Sequence, residues 1–170
     1  MEIKKATALD ADSLMELFDE ARGTIALLGI DQWQKGYPSL EIVREDIKES
    51  RSYTVKIDGE LCGTFVLMEN GEPMYDTIYD GHWKSGDESE DYVAIHRVAV
   101  SVRMRGKGIS TAIISYAEAR AKELGRSALR IDTHEGNLVM RRMLEKHGFQ
   151  LCGIIHLENG DPRVAYEKLF

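Results

Sequence analysis

Residues 91–125 read DYVAIHRVAVSVRMRGKGISTAIISYAEARAKELG, and the fold turns on how this stretch is parsed. Val93, Ile95, Val98, Ala99 and Val100 form an apolar, largely β-branched run, the pattern of a strand buried on both faces. Ile109, Ala112, Ile113, Tyr116, Ala117 and Leu124 then recur at helical spacing, which predicts an amphipathic helix with these residues inward. Between the two lies Ser101-Val102-Arg103-Met104-Arg105-Gly106-Lys107-Gly108. A strand that passes through a basic, glycine-containing turn into a helix is suited to hold phosphate. Glycine lets the backbone approach an anion, the first helical N–H groups lack intrahelical acceptors, and the helix dipole favours negative charge there. Residues 92–117 contain no Asp or Glu, so the turn is locally cationic within an acidic chain.

Spacing excludes two common phosphate motifs. A dinucleotide fingerprint needs a third glycine where Thr111 stands, and a Walker loop needs its two glycines further apart, with Lys and then Ser or Thr after the second. The residues fit R-x-x-G-x-small instead, over Arg105, Gly106, Lys107, Gly108, Ile109 and Ser110. Residues 103–108 satisfy that pattern literally as well. The later register places Ile109 and Ile113 on the buried helix face.

Here the chain resembles the GNAT superfamily of acyl-CoA-dependent N-acetyltransferases, whose motif Q/R-x-x-G-x-G/A lies at a strand-to-helix turn. Downstream, Asp132-Thr133-His134-Glu135-Gly136-Asn137, then Met140, Met143, Leu144 and Glu145-Lys146-His147-Gly148-Phe149, resemble the same family's second motif. The resemblance is close over the C-terminal half and looser over the N-terminal half. It implies an α/β (α+β) GNAT fold: a mixed, mostly antiparallel sheet of six to seven strands, splayed between the fourth and fifth, with helices on both faces.

The remainder of the chain agrees with that plan. A length of 170 residues suits one domain, 1–170, and 43% hydrophobic with 30% charged residues is ordinary for a globular protein. A net charge of -7 argues against broad nucleic-acid binding. Cys62 and Cys152 lie singly in apolar strand patterns, without metal-ligand spacing, and read as reduced, buried thiols. No metal site is expected. No signal peptide or membrane-length apolar run is apparent, so the expected location is the cytoplasm, with no membrane partner.

Residues 3–6 read as a first strand. A helix capped by Asp10 should carry Leu14, Leu17, Phe18, Ala21, Ile25 and Leu28 inward and end at Gly29. Ser39 should cap a second helix running to Lys48. Residues 53–57 and 61–68 read as strands joined by an Asp58-Gly59 turn. Residues 69–90 show no strong period and are rich in acids, Tyr and Gly. Residues 128–133, 149–157 and 164–169 complete the strands, and residues 138–147 a helix.

The resemblance implies acetyl transfer from acetyl-CoA, as co-substrate, to a primary amine of a small molecule or peptide N-terminus, by direct attack in a ternary complex. Pantetheine would pair with backbone at Val98, Ala99 and Val100. Arg105, Gly106, Lys107, Gly108, Ile109 and Ser110 would bind the diphosphate. Asn137 would contact pantetheine or cap its own helix. His96 is the candidate general base, because it lies on the organising strand and imidazole titrates near neutrality. In many family members a Glu stands two residues earlier, where this chain has Ala94. The family's frequent Tyr, which protonates the leaving thiolate, is replaced by Leu144. His134, Tyr92 or solvent are the alternatives.

Trp33, Tyr37, Tyr79 and Trp83 are candidate acceptor-binding aromatics in loops. The acids at 76, 80, 87, 88, 90 and 91 suggest a cationic acceptor. A different class, an acyl-CoA-binding sensor or partner-binding module without turnover, stays open because of Ala94 and Leu144. An exposed final strand leaves room for a homodimer.

Overall fold

A computed structural model describes all residues, Met1–Phe170. The elements in chain order are β1 (Glu2–Lys5), α1 (Ala11–Ala26), α2 (Leu40–Lys48), β2 (Ser52–Ile57), β3 (Glu60–Met68), β4 (Tyr92–Val100), α3 (Ile109–Glu123), β5 (Ala128–Thr133), α4 (Leu138–Lys146), β6 (Gln150–His156) and β7 (Pro162–Leu169). The seven strands follow the order β1-β2-β3-β4-β5-β7-β6; β4 and β5 pair in parallel, while the β1–β2, β2–β3, β5–β7 and β6–β7 pairs are antiparallel. The β4 to β5 register pairs Tyr92 with Ala128, Val93 with Leu129 and Ala94 with Arg130, and extends no further. This is the splayed, mixed sheet that the two motifs imply.

The chain forms two compact units. The first comprises Met1–Leu67 with Arg97–Ile113. Its core joins Leu14, Leu17 and Phe18 of α1 to Val43 of α2, Ala6 and Ala99, with Trp33 and Ile47 against them. Ser39 caps α2 as expected, its hydroxyl accepting from the Ile42 amide. Asp58 and Gly59 both have positive φ, the combination a two-residue hairpin turn requires.

Two expectations for α1 are corrected. Asp10 does not cap α1 through its side chain; its carboxylate accepts from the Thr7 amide at 2.8 Å and pairs with Lys56 at 2.9 Å. Leu28 is not inward, because α1 ends at Ala26. The amides of Leu28 and Gly29 bond back to Ile25 and Ala26, which winds the chain off the apolar stripe and leaves Leu28 exposed.

The same unit contains the main irregularity of β4. Arg97 has φ +51°, the left-handed region, which costs a non-glycine residue roughly 1–2 kcal/mol. Asp46 of α2, 2% exposed, holds it there. Arg97 Nη2 donates to Asp46 Oδ1 at 2.9 Å, Arg97 Nη1 donates to the Tyr37 hydroxyl, and Arg51 Nε donates to the same Asp46 Oδ1 at 2.7 Å. Arg97 Nε stands 2.7 Å from Asp46 Oδ2 but is too poorly aligned for a hydrogen bond, so that contact is purely electrostatic.

The second unit comprises Met68–His96 with Ile114–Phe170. Tyr75, Trp83, Tyr92, Ala94, Ala128, Cys152, Ile155 and Ala165 form its core. Residues 69–90, which lack a period, gain order from other contacts. Pro73–Tyr75 is a 3-10 turn, and Tyr79 bridges Ile154 at the edge of β6 with two amide bonds of 2.8 Å. That approach depends on Gly153, where a Cβ would lie 2.5 Å from the Tyr79 carbonyl oxygen. Arg130 is 1% exposed, its guanidinium centred 4.1 Å and 4.0 Å from the Trp83 and Tyr92 rings and its Nε on Glu167 at 2.8 Å.

Leu124, expected inward, is exposed because α3 stops at Glu123 and Gly125 turns the chain with φ +70°. Cys62 and Cys152 are free and buried. No helix is long and apolar enough to cross a membrane.

Removing Asp46 strands two arginines and leaves the left-handed Arg97 unsupported. Asp46→Ala should therefore lower unfolding stability by about 3–5 kcal/mol in urea titration.

Candidate active site

In the first unit, β4 runs into a 3-10 turn, Val102–Met104, before α3 begins at Ile109. The Ser101 carbonyl accepts from the Met104 amide, while the amides of Arg105 and Lys107 make long, 3.3 Å bonds to Val102 and Met104. The amides of Gly106, Gly108, Ile109 and Ser110 lie outside that internal bonding. Gly106 and Gly108 have φ +76° and +78°, a conformation that a side chain would strain. With Ile109 and Ser110 at the first positions of a fifteen-residue helix, the turn ends in donors without intrahelical acceptors. Arg105 and Lys107 are exposed, and Ile109 is 2% exposed, its side chain anchoring the helix start in the core. Ala99 is buried, with Val98 and Val100 partly so.

In the second unit, His96 sits in a polar pocket that its own strand does not announce. Its side chain is 11% exposed, and Nε2 stands 2.8 Å from Glu72 Oε2. The angle is not that of a well-formed hydrogen bond, so this is a close polar contact between an imidazole nitrogen and a carboxylate oxygen. Glu72 is fixed from several sides: its amide donates to the Tyr92 hydroxyl at 3.0 Å, and Oε1 accepts from the Met74 amide at 3.3 Å. The Tyr75 ring lies 5.7 Å from the His96 ring, and its hydroxyl donates to Asp132 Oδ2 at 2.6 Å. Burial, reinforced by the Asp132 carboxylate, holds the Tyr75 hydroxyl well above the ordinary phenol range. Glu72 and Asp132 were not singled out from sequence. Glu72 lies in the aperiodic segment, and the one local hint is the turn chemistry of Gly71-Glu72-Pro73.

Comparison with known proteins supplies the family. The Acetyltransferase (GNAT) family profile matches residues 11–149, most of the chain. The chain belongs to the GNAT acetyltransferase family. It is similar to an uncharacterized N-acetyltransferase, MJ1207, of Methanocaldococcus jannaschii, at 32% identity over 124 residues, 73% of this chain but 49% of that one. The chain thus spans about half the length of that relative. A GNAT family acetyltransferase from Streptococcus agalactiae superposes with a TM-score of 0.84 at 34% identity, covering 99% of this chain and 95% of that one. The PaiA N-acetyltransferase of Thermoplasma acidophilum, solved with coenzyme A, shares the fold with a TM-score of 0.73 at 19% identity, covering 99% and 98%.

Against the family pattern, several side chains have definite places in this GNAT protein. Asn137 caps α4, its side chain accepting from the Met140 amide at 3.2 Å. Leu144 is 0% exposed in the core, and Ala94 is equally buried. His134 Nδ1 accepts from the Gly136 amide at 2.9 Å, which uses that nitrogen within a turn.

The four loop aromatics do not behave alike. Trp83 is a correction: at 3% exposure, with Nε1 on the Tyr75 carbonyl and one face on Arg130, it is core and offers no face to a ligand. Trp33 packs edge-on against Phe18 at 5.7 Å. Tyr37 and Tyr79 are 37% and 48% exposed, with Tyr37 on Arg97 and the Tyr79 ring 4.8 Å from that of His156, tilted by 34°. A cavity of about 410 Å³ in the second unit is walled by Glu72, Asp76, Asp87, Glu88 and Glu90, with Arg130 also lining it.

The buried Tyr75 sets an alkaline limit on stability. Above about pH 10 the unfolded chain releases this phenolic proton while the folded chain keeps it, so the folded state binds more protons and stability falls as pH rises. Tyr75→Phe should flatten that decline by up to about 1.4 kcal/mol per pH unit, measured by urea unfolding at a series of alkaline pH values.

Proposed function

We propose that this protein transfers an acetyl group from acetyl-CoA to a primary amine of a small cationic acceptor, by direct attack in a ternary complex. The observation that carries the reading is the turn at residues 105–110. Two left-handed glycines, two exposed cations and a helix start make a diphosphate cradle of backbone N–H groups. The coenzyme A complex of the PaiA relative supports the same ligand for this chain.

In this scheme Gly106, Gly108, Ile109 and Ser110 donate amides to the diphosphate, and Arg105 and Lys107 add charge. Pantetheine pairs with backbone at Val98, Ala99 and Val100, and Asn137 orders the start of α4 beside its ligand role. The amine nitrogen attacks the thioester carbonyl, the C–S bond breaks as the tetrahedral intermediate collapses, and the product is an amide plus coenzyme A thiolate. Positioning and oxyanion stabilisation supply most of the rate. His96 takes the ammonium proton. Leu144 and Ala94 bring no titratable group, and the thiolate, the anion of a moderately acidic thiol, takes its proton from solvent.

The acidic cavity supports a cationic acceptor, because carboxylates at its wall favour an ammonium while Arg130 is neutralised by Glu167. Of the aromatics, Tyr37 and Tyr79 retain exposed surface for the acceptor, with Trp33 behind Tyr37.

Thiol release from acetyl-CoA should be seen with diamines and be weak with anionic amines, falling as salt rises. Asp76→Asn should raise the KM for a diamine and leave that for acetyl-CoA unchanged. His96→Gln should lower kcat by about 10²–10⁴-fold, and unchanged turnover would remove His96 from the mechanism. Gly108→Ala should weaken acetyl-CoA binding in calorimetry by straining the cradle. Calorimetric binding of acetyl-CoA with no thiol release from any amine would instead mark the protein as an acyl-CoA sensor, the reading that Leu144 and Ala94 favour.

A further inference from the structure

We propose that Glu72 is a positioning residue that fixes the tautomer of His96, holding the proton on Nε2 so that the Nδ1 lone pair is the one available to an incoming ammonium. The inference rests on His96 being the base.

The geometry that supports it starts with a short sequence. Gly71, with φ +89°, turns the chain so that Glu72 begins a 3-10 turn at Pro73. One carboxylate oxygen, Oε1, is committed to the Met74 amide, the first free N–H of that turn, since Pro73 has none. The other, Oε2, is thereby left 2.8 Å from His96 Nε2, close but off the hydrogen-bond axis. At 2.8 Å an Nε2 lone pair would face the carboxylate oxygen repulsively, so a neutral imidazole is favoured electrostatically to carry its hydrogen on Nε2, although that N–H is not aligned for a hydrogen bond. The remaining groups about the ring do not compete for that nitrogen. Tyr75 presents its ring, its hydroxyl being spent on Asp132, and the Tyr92 hydroxyl accepts from the Glu72 amide. With Glu72 8% exposed and the His96 side chain nearly as enclosed, water has little access to exchange the two tautomers' partners.

A purely structural role for Glu72, capping the turn, makes a different prediction. Glu72→Gln retains an oxygen for the Met74 amide, so the cap survives. The amide NH2 must then face the histidine, because the opposite flip would set two donors against each other at Met74. His96 Nε2 would have to accept, and the proton would move to Nδ1, which blocks the nitrogen that the reaction needs.

The test is ¹⁵N NMR of the imidazole nitrogens, with the His96 signals assigned by their loss in His96→Gln, read beside steady-state kinetics. The expected result is Nε2–H in the wild type and Nδ1–H in Glu72→Gln. The variant's kcat should fall about as far as in His96→Gln, roughly 10²-fold or more, with the KM for acetyl-CoA unchanged. An Nδ1–H tautomer in the wild type, an unaltered tautomer in the variant, or full turnover in the variant would each overturn the inference. The wild-type spectrum decides even if the variant fails to fold. It does so independently of the base assignment, which falls only if His96→Gln itself keeps its activity.

Discussion

A carboxylate out of reach of water, Asp46, compels Arg97 to adopt a backbone conformation that strand residues avoid. The left-handed conformation at Arg97 interrupts the extended run of β4 just beyond the last residue registered with β5, Ala94. Before it, Tyr92, Val93, Ala94 and Ile95 are all buried; after it, only Ala99 is. An isolated strand of this sequence would have no reason to bend at an arginine, because the left-handed penalty is of the order of a good hydrogen bond. Two arginines converging on one buried carboxylate offset it.

The two ends of β4 have different chemical neighbours. Beyond Val100 the chain enters a turn whose character comes from what glycines permit: amides left outside the internal bonding at the start of a long helix. Ahead of Arg97, the environment of His96 comes from polar side chains that arrive from residues 72–75 and from Asp132. The first kind of site is a property of contiguous residues. The second exists only when distant residues fold together.

That difference explains what was legible in the sequence. The strand, turn and helix of residues 92–123 obey short-range rules, a continuous apolar run, then glycine and charge, then period 3.6, and the structure follows them closely. Ser39 and the Asp58-Gly59 turn were readable for the same reason. Glu72 was not, because nothing local marks one acid among many in an aperiodic segment as the partner of a histidine on another element. Trp83 misled in the opposite direction: an aromatic in a polar loop reads as exposed, yet Arg130, itself buried and neutralised by Glu167, draws the indole ring into the core. Leu28 and Leu124 failed for a geometric reason, since each continues its helical spacing one residue or more past the point where a glycine-terminated turn ends the helix.

Charge is sorted along this chain in a way that bears on its chemistry. Residues 92–117 contain no acid, yet two of their four Lys and Arg side chains are paired: Arg97 with Asp46, Arg103 with Glu60 at 3.1 Å. What remains for a ligand is Arg105 and Lys107, exposed and alternating with the two left-handed glycines, so the free positive charge lies where the backbone donors are. The excess acid behind the net charge of -7 gathers in part around the cavity of residues 70–90. A donor carrying a diphosphate and an acceptor carrying an ammonium would therefore each find the complementary field on a different stretch of sequence. The ammonium must still shed its proton to attack, and a histidine whose partner is one of those same acids lies between the two stretches in the chain. On the proposed function, such an arrangement would draw the cation in by charge, and the histidine would take the proton whose removal frees the amine's own lone pair.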